Sequence, residues 1–159
     1  MENDKMNIYE DCCFIRKQIE NCKANGYFRD FPFGYCALSS IWLYDYLVNR
    51  GLKSIQIRQK DHFITKYPHT WVHWNNLDID ITADQFNKII KLPKVYVGNT
   101  NLLYHSFDNT TTKELKFETE FILKNAFVDR TLEEGIKMLY CNIAVSYTHL
   151  RAHETSLHL

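Results

Sequence analysis

The stretch "HTWVHWNNLDIDIT", His69 to Thr82, decides the fold. It contains two runs in which apolar and polar residues alternate, separated by Asn75 and Asn76. Strict alternation is the period of a half-buried strand. Asparagine tolerates positive φ better than most residues, so Asn-Asn suits a two-residue hairpin turn. A loop of that length pairs Trp74 with Leu77, which sets Trp71 opposite Asp80 and His69 opposite Thr82. His69, Trp71, His73, Asp78, Asp80 and Thr82 then share one face, while Val72, Trp74, Leu77, Ile79 and Ile81 form an apolar core face. Diagonal neighbours on such a face lie roughly 7–8 Å apart along the backbone, a span that the side chains of His69 and Asp80 can bridge. His73 and Asp78, directly opposite each other, form a rival pair nearer the hairpin tip.

Upstream of the hairpin the period is helical. Ile8, Cys12, Ile15, Ile19 and Cys22 make one apolar stripe over residues 7–25, and Gly26 is a natural stop. "YFRDFPFGY", residues 27–35, reads as an aromatic-rich loop. From Cys36, the residues Ala37, Ile41, Tyr44 and Val48 recur at helical spacing, and Gly51 ends that helix near Arg50. "KSIQIRQ" then alternates as a strand, and "HFITK" is a candidate second one. Beyond the hairpin, Thr82 and Gln85 form the T-x-x-Q pattern of a capping box, which predicts a short helix through about Lys91. "KVYVG" reads as a strand, and residues 113–127 and 131–142 read as helices, the latter opened by Thr131 and Glu134. Helices followed by strands followed by helices imply an α+β domain over residues 1–143.

Composition narrows the function. With 45% hydrophobic and 14% aromatic residues, a packed core is expected rather than disorder. Nineteen basic side chains balance nineteen acidic ones, which gives no electrostatic basis for binding nucleic acid or a membrane surface. No run of apolar residues is long enough to span a bilayer. The polar, acidic start "MENDKMNIYEDCC" does not read as a secretory signal. Five cysteines without regular spacing argue against a disulfide framework and for a reducing, cytoplasmic setting. No C-x-x-C pair occurs, so no zinc site, metal or other cofactor is expected. Cys12, Cys22 and Cys141 are expected in the core. The C-terminal "VSYTHLRAHET", Val145 to Thr155, resembles the conceptual translation of a sequencing-library adapter. Residues 144–159 are therefore expected to be an artefactual tail that replaces a natural C-terminus, and His149, His153 and His158 are excluded as ligands.

Chemistry centres on Cys36. A thiol with an ordinary pKa of about 8.5 is mostly protonated at neutral pH, and the thiolate is the nucleophile. A helix N-terminus lowers that pKa through unpaired N–H groups, a histidine completes the activation, and a carboxylate orients the imidazole. A cysteine alone is more often a small buried apolar residue. Here the hairpin supplies both partners in His69 and Asp80. Thr82 and Gln85 are read as a helix cap, with Gln85 as an oxyanion donor the lesser alternative.

The cysteine after "FGY", then "HTW", then "DIDIT" resembles the transglutaminase-like branch of the papain-like cysteine enzymes, over residues 34–86. Gly34-Tyr35 stands where that branch usually has a tryptophan, and the interval from His69 to Asp80 is short for it. The resemblance implies a cysteine helix packed on an antiparallel sheet, with Cys36 as nucleophile, His69 as base and Asp80 as orienting acid. It implies an acyl-enzyme mechanism on amide or ester carbonyls, of protease, amidase, deamidase or transglutaminase type. The partner would be a peptide or protein substrate, a glutamine side chain included. Tyr35, closing the aromatic loop, and Trp71 are the candidate substrate-binding residues. The contrasting expectations are a non-catalytic binding module on the same scaffold and a fragment of a larger toxin or effector.

Overall fold

The computed structural model describes residues 2–61, 68–88, 91–99, 113–115, 134–139 and 141–143. Two helices, α1 (Glu2–Ala24) and α2 (Cys36–Asn49), precede a sheet made of β1 (Gln56–Asp61), β2 (Pro68–Trp74), β3 (Leu77–Asp80), β4 (Tyr96–Gly98) and β5 (Lys113–Leu115). The order across the sheet is β4-β3-β2-β1-β5, with every neighbouring pair antiparallel. The class is α+β, with helices packed on an antiparallel sheet.

The hairpin has the register that alternation dictates. Trp74 pairs with Leu77, His73 with Asp78 and Val72 with Ile79. Asn75 and Asn76 both take positive φ, 46° and 63°, as a turn that matches the twist of the flanking strands requires. Val72, Leu77, Ile79 and Ile81 meet Ile8, Cys12, Ile15, Ile19 and Cys22 of α1 and Trp42, Leu43 and Leu47 of α2 in one buried cluster. Ile136 and Leu139, from the helical residues 134–139, join it.

Both long helices end on the glycine expected to stop them. Gly51 has φ of +95°, and its N–H reaches the carbonyl of Val48 while that of Leu52 reaches Leu47. This closes two carbonyls that the helix end leaves open. The same pair of bonds runs from Gly26 to Lys23 and from Tyr27 to Cys22.

Several expectations are corrected. The buried residues of α2 are Cys36, Ser39, Ser40, Ile41, Trp42, Leu43, Tyr46 and Leu47, so Ile41 of the expected stripe is buried while Ala37 and Tyr44 are only half-buried and Val48 is exposed. The periodicity of Ala37, Tyr44 and Val48 misled because two serines sit on the true inner face. Ser40 is accommodated there because its hydroxyl donates to the Thr70 carbonyl of β2 at 3.0 Å. Ser39 Oγ is buried and has no hydrogen-bond partner among the described residues. An unsatisfied buried hydroxyl costs about 1–3 kcal/mol, and alanine is the better helix former. Ser39→Ala should therefore raise stability by about 1 kcal/mol, read as a higher midpoint in urea with an unchanged slope; a lower midpoint would mean that the hydroxyl has a partner.

Lys113–Leu115, expected in a helix, form an edge strand paired with Gln59, Arg58 and Ile57 of β1. Three residues of weak local preference follow the open edge they meet. The expected helix after Thr82 is only a 3-10 turn, Ala83–Phe86, followed by a turn whose Asn87 side chain accepts from the Leu92 N–H at 2.7 Å. Cys141 is exposed rather than in the core, because Ile136 and Leu139 take the inward positions of its segment. "HFITK", residues 116–127 and the tail 144–159 lie outside the described residues. Among those described, no helix is long and apolar enough to cross a membrane.

Candidate active site

Gly34 takes φ of +75°, with nothing within 4 Å of where a Cβ would stand. The residue type is thus dictated by the backbone turn rather than by space. The turn ends the aromatic loop and makes Tyr35 the N-terminal cap, so that Cys36 is the first residue of α2. Tyr35 is half-buried, its ring edge-on to Phe28 at 5.8 Å and to Phe31 at 6.2 Å. The loop turns Phe28 and Phe31 into the core, while Phe33 is exposed.

α2 lies over β2 so that the Cys36 sulfur is 4.0 Å from the carbonyl oxygen of Pro68, the residue before His69. The His69 ring and the Thr70 backbone N–H both act on the Cys36 thiol and favour its thiolate. On the next strand, His69 Nε2 is 2.8 Å from Asp80 Oδ2. Asp80 Oδ1 accepts from the Thr82 N–H at 2.7 Å and from its hydroxyl at 2.8 Å. Cys36, His69 and Asp80 are all buried, at 9%, 1% and 2% exposure, so this is an interior charge system and not a surface pair.

The site's electrostatics follow from that burial. Burial opposes the Cys36 thiolate, but the hydrogen bond and charge of His69 and the Thr70 N–H outweigh it, and the thiol pKa is lowered. Burial likewise opposes the His69 imidazolium, yet the Asp80 carboxylate and Cys36 raise its pKa to about 9. Burial would raise Asp80, but His69 and Thr82 hold its carboxyl below the usual value. Asp80 is thus an ionised acceptor, and the Nε2–H of His69 is the donor between them. Only Nδ1 is left to exchange a proton with Cys36.

The rival pair also forms. His73 Nδ1 lies 2.9 Å from Asp78 Oδ1, and the same oxygen accepts from Trp71 Nε1 at 2.9 Å. Trp71 is buried. It stacks at 5.9 Å on the His69 ring and packs with Phe86, Leu92 and Tyr96. Phe86 meets the other side of His69 edge-on at 4.8 Å. Trp71 is therefore a wall of the imidazole's dry enclosure.

Three residues were not read from the sequence in these roles. Thr82 and Gln85 do not form a capping box; no side chain caps the 3-10 turn. Instead the Thr82 hydroxyl serves Asp80, and Gln85 Nε2 lies 2.9 Å from His69 Nδ1. The spacing T-x-x-Q was a true signal of a turn, but it could not show that both side chains face the strand pair. Arg16 of α1 is buried and binds both carboxylate oxygens of Asp84 at 2.8 and 2.9 Å and the Ile81 carbonyl at 2.7 Å, while its guanidinium stacks 4.5 Å over Phe31. It ties α1 to the turn between Asp80 and Gln85. Its only hint in the sequence is a place beside the apolar stripe, four residues after Cys12.

Among the described residues, no group of three histidine, cysteine or acidic side chains is placed to hold a metal. An open cavity of about 550 Å³ lies elsewhere, between α1, the end of α2 and the hairpin tip, lined by Ile8, Asp11, Arg50, Lys53 and Trp74 among others. Comparison with family models, with curated proteins and with solved structures finds no match to this chain.

Proposed function

We propose that the chain is a thiol enzyme of transglutaminase-like, papain-like architecture that acts on amide or ester carbonyls through an acyl-enzyme. The observation that carries this reading is the placing of three buried groups together: the Cys36 thiol 4.0 Å from the carbonyl of the residue before His69 and subject to the charge of that histidine, and the His69 ring 2.8 Å from the Asp80 carboxylate. A cysteine opening a helix, with histidine and aspartate on adjacent strands, also supports the architecture. In this mechanism the Cys36 proton passes to His69 Nδ1 and the thiolate adds to the carbonyl carbon. The imidazolium then protonates the departing amine or alcohol, leaving a thioester on Cys36. Water gives the acid and restores the thiol, and an amine acceptor gives a new amide. The backbone N–H of Cys36 at the start of α2 is the first candidate for stabilising the oxyanion. A peptide or protein substrate, a glutamine carboxamide included, fits this chemistry, and the mechanism needs no cofactor.

The test compares two cysteines in one molecule. Cys36 is buried and Cys141 is exposed. Exposure alone would make Cys141 the faster to alkylate. With substoichiometric iodoacetamide at pH 7, Cys36 should instead be modified several-fold ahead of Cys141, by peptide mass spectrometry, and Cys36→Ala should remove that adduct alone. Modification of Cys141 first would make Cys36 a core residue.

A second reading, a binding module on the same scaffold, is favoured by one observation. The cavity of about 550 Å³ sits at the C-terminal end of α2 and the hairpin tip, remote from Cys36 at the other end of that helix. The same labelling experiment separates the two readings, since a binding module gives Cys36 no advantage.

A further inference from the structure

The hydrogen bonds around His69 close into a ring whose direction can be worked out atom by atom. Asp80 can only accept, so the single hydroxyl proton of Thr82 points to Asp80 Oδ1 at 2.8 Å. Thr82 Oγ1 is then only an acceptor toward its other neighbour, Gln85, whose side-chain nitrogen lies 3.4 Å away. This fixes the Gln85 carboxamide with its NH₂ group inward, although amide oxygen and nitrogen are otherwise interchangeable in shape. The same NH₂ group faces His69 Nδ1 at 2.9 Å. A donor on Nδ1 requires a lone pair there, so it favours the neutral ring protonated on Nε2, the nitrogen that donates to Asp80 Oδ2 at 2.8 Å.

Nδ1 is also the atom that must take the Cys36 proton. We propose that Gln85 is a positioning residue that acts as a gate on His69: its carboxamide competes with the Cys36 proton for the Nδ1 lone pair, against the pull of Asp80 and Cys36 toward the imidazolium, and its withdrawal shifts the pair further toward thiolate and imidazolium. No proton is gained or lost by the pair; one proton moves from sulfur to Nδ1. This inference rests on the reading of Cys36 and His69 as nucleophile and base, and adds a device by which a ligand that engages the amide of Gln85 would activate the thiol. A substrate carbonyl is such a ligand, because it accepts the N–H bonds that Nδ1 then loses.

Other charged groups also face His69. Asp80 of β3 bonds it, Cys36 of α2 acts on its charge, Lys60 of β1 is its register partner, and Asp84 of the 3-10 turn is held by Arg16. Gln85 is half-buried on a turn anchored at Asp84, so its side chain can swing without moving the backbone.

The test uses Gln85→Met, which keeps length without a donor, and Gln85→Glu, which keeps reach but only accepts when ionised. Wild type, both variants and His69→Ala are compared by the pH profile of Cys36 alkylation and by ¹⁵N chemical shifts of His69. The proton on His69 Nδ1 should be lost at lower pH in wild type than in Gln85→Met, while the Nε2 proton stays in both. Gln85→Met should speed alkylation at pH 7 by roughly threefold to tenfold, the factor that one neutral hydrogen bond supplies. In Gln85→Glu the ring should remain an imidazolium to higher pH than in Gln85→Met. A faster thiol on losing a polar neighbour is the opposite of what a merely structural role gives. If alkylation depends on His69 but is unchanged or slower in Gln85→Met, the gate is wrong and the nucleophile reading stands. If His69→Ala has no effect either, both fall.

Discussion

Alkylation of Cys36 at pH 7 is expected to slow by roughly tenfold or more when His69 is replaced by alanine, and its pH profile to move toward higher pH. The size follows from losing a hydrogen bond to a charged group, worth about 1.5–3 kcal/mol, where 1.4 kcal/mol is a factor of ten. The direction follows from the causes acting on the thiol. Burial raises its pKa, and the hydrogen bond and charge of His69 are the first of the influences that bring it down. Without the imidazole, burial faces only the Thr70 N–H and the start of α2, which a helix N-terminus makes favourable to an anion. Reactivity should therefore fall without vanishing. Stopped-flow alkylation across pH 5–10 measures it, with circular dichroism to verify the fold. Coincident profiles for wild type and His69→Ala would break the link between sulfur and ring on which the proposed chemistry depends. Loss of the folded spectrum would send the same comparison to His69→Gln, which keeps volume and one donor.

The sequence carried the hairpin almost completely, because period and turn chemistry agree there. Alternation assigns the two faces, Asn75-Asn76 fixes the turn, and together they leave one register, the one the strands adopt. The approach of Asp80 to His69 follows from that register alone. Cys36 at the start of a helix was legible for a similar local reason, since Gly34 and the following apolar run mark the boundary. What failed depends on distant partners. Ser39 and Ser40 disguised the inner face of α2, whose direction is set by the sheet beneath it. Lys113–Leu115 became a strand only because β1 offers an edge. Gln85 was read as a cap because capping is a contact of nearby residues, and its bond to a histidine sixteen positions earlier is not. Arg16 likewise finds Asp84 sixty-eight positions away.

Asp80→Ala should cost about 3–5 kcal/mol of folding stability near neutral pH, the loss typical of breaking a buried charged pair from one side. An exposed pair would be worth 1 kcal/mol or less, and burial decides between the two: the side chains of His69 and Asp80 are each 1% exposed. Asp80 also serves Thr82 twice, so its removal strands a buried backbone N–H and frees the turn that carries Gln85. The pH dependence gives the cause a signature. Burial opposes the Asp80 charge, but His69 and Thr82 lower its pKa below the ordinary 3.8. Its contribution is therefore present above that ordinary value and is lost as pH falls through the lower folded one. Burial opposes the His69 charge too, but Asp80 and Cys36 raise its pKa from 6.5 to about 9. That contribution is complete below 6.5 and is lost as pH rises through about 9. The difference in stability between wild type and Asp80→Ala should accordingly be greatest between the two limits and shrink toward both acid and alkaline pH. Urea unfolding at a series of pH values measures that difference directly. A loss below 1 kcal/mol, or one that does not vary with pH, would mean that Asp80 holds the Thr82 turn without acting on the charge of His69, and would leave the imidazole with no anion to sustain its proton.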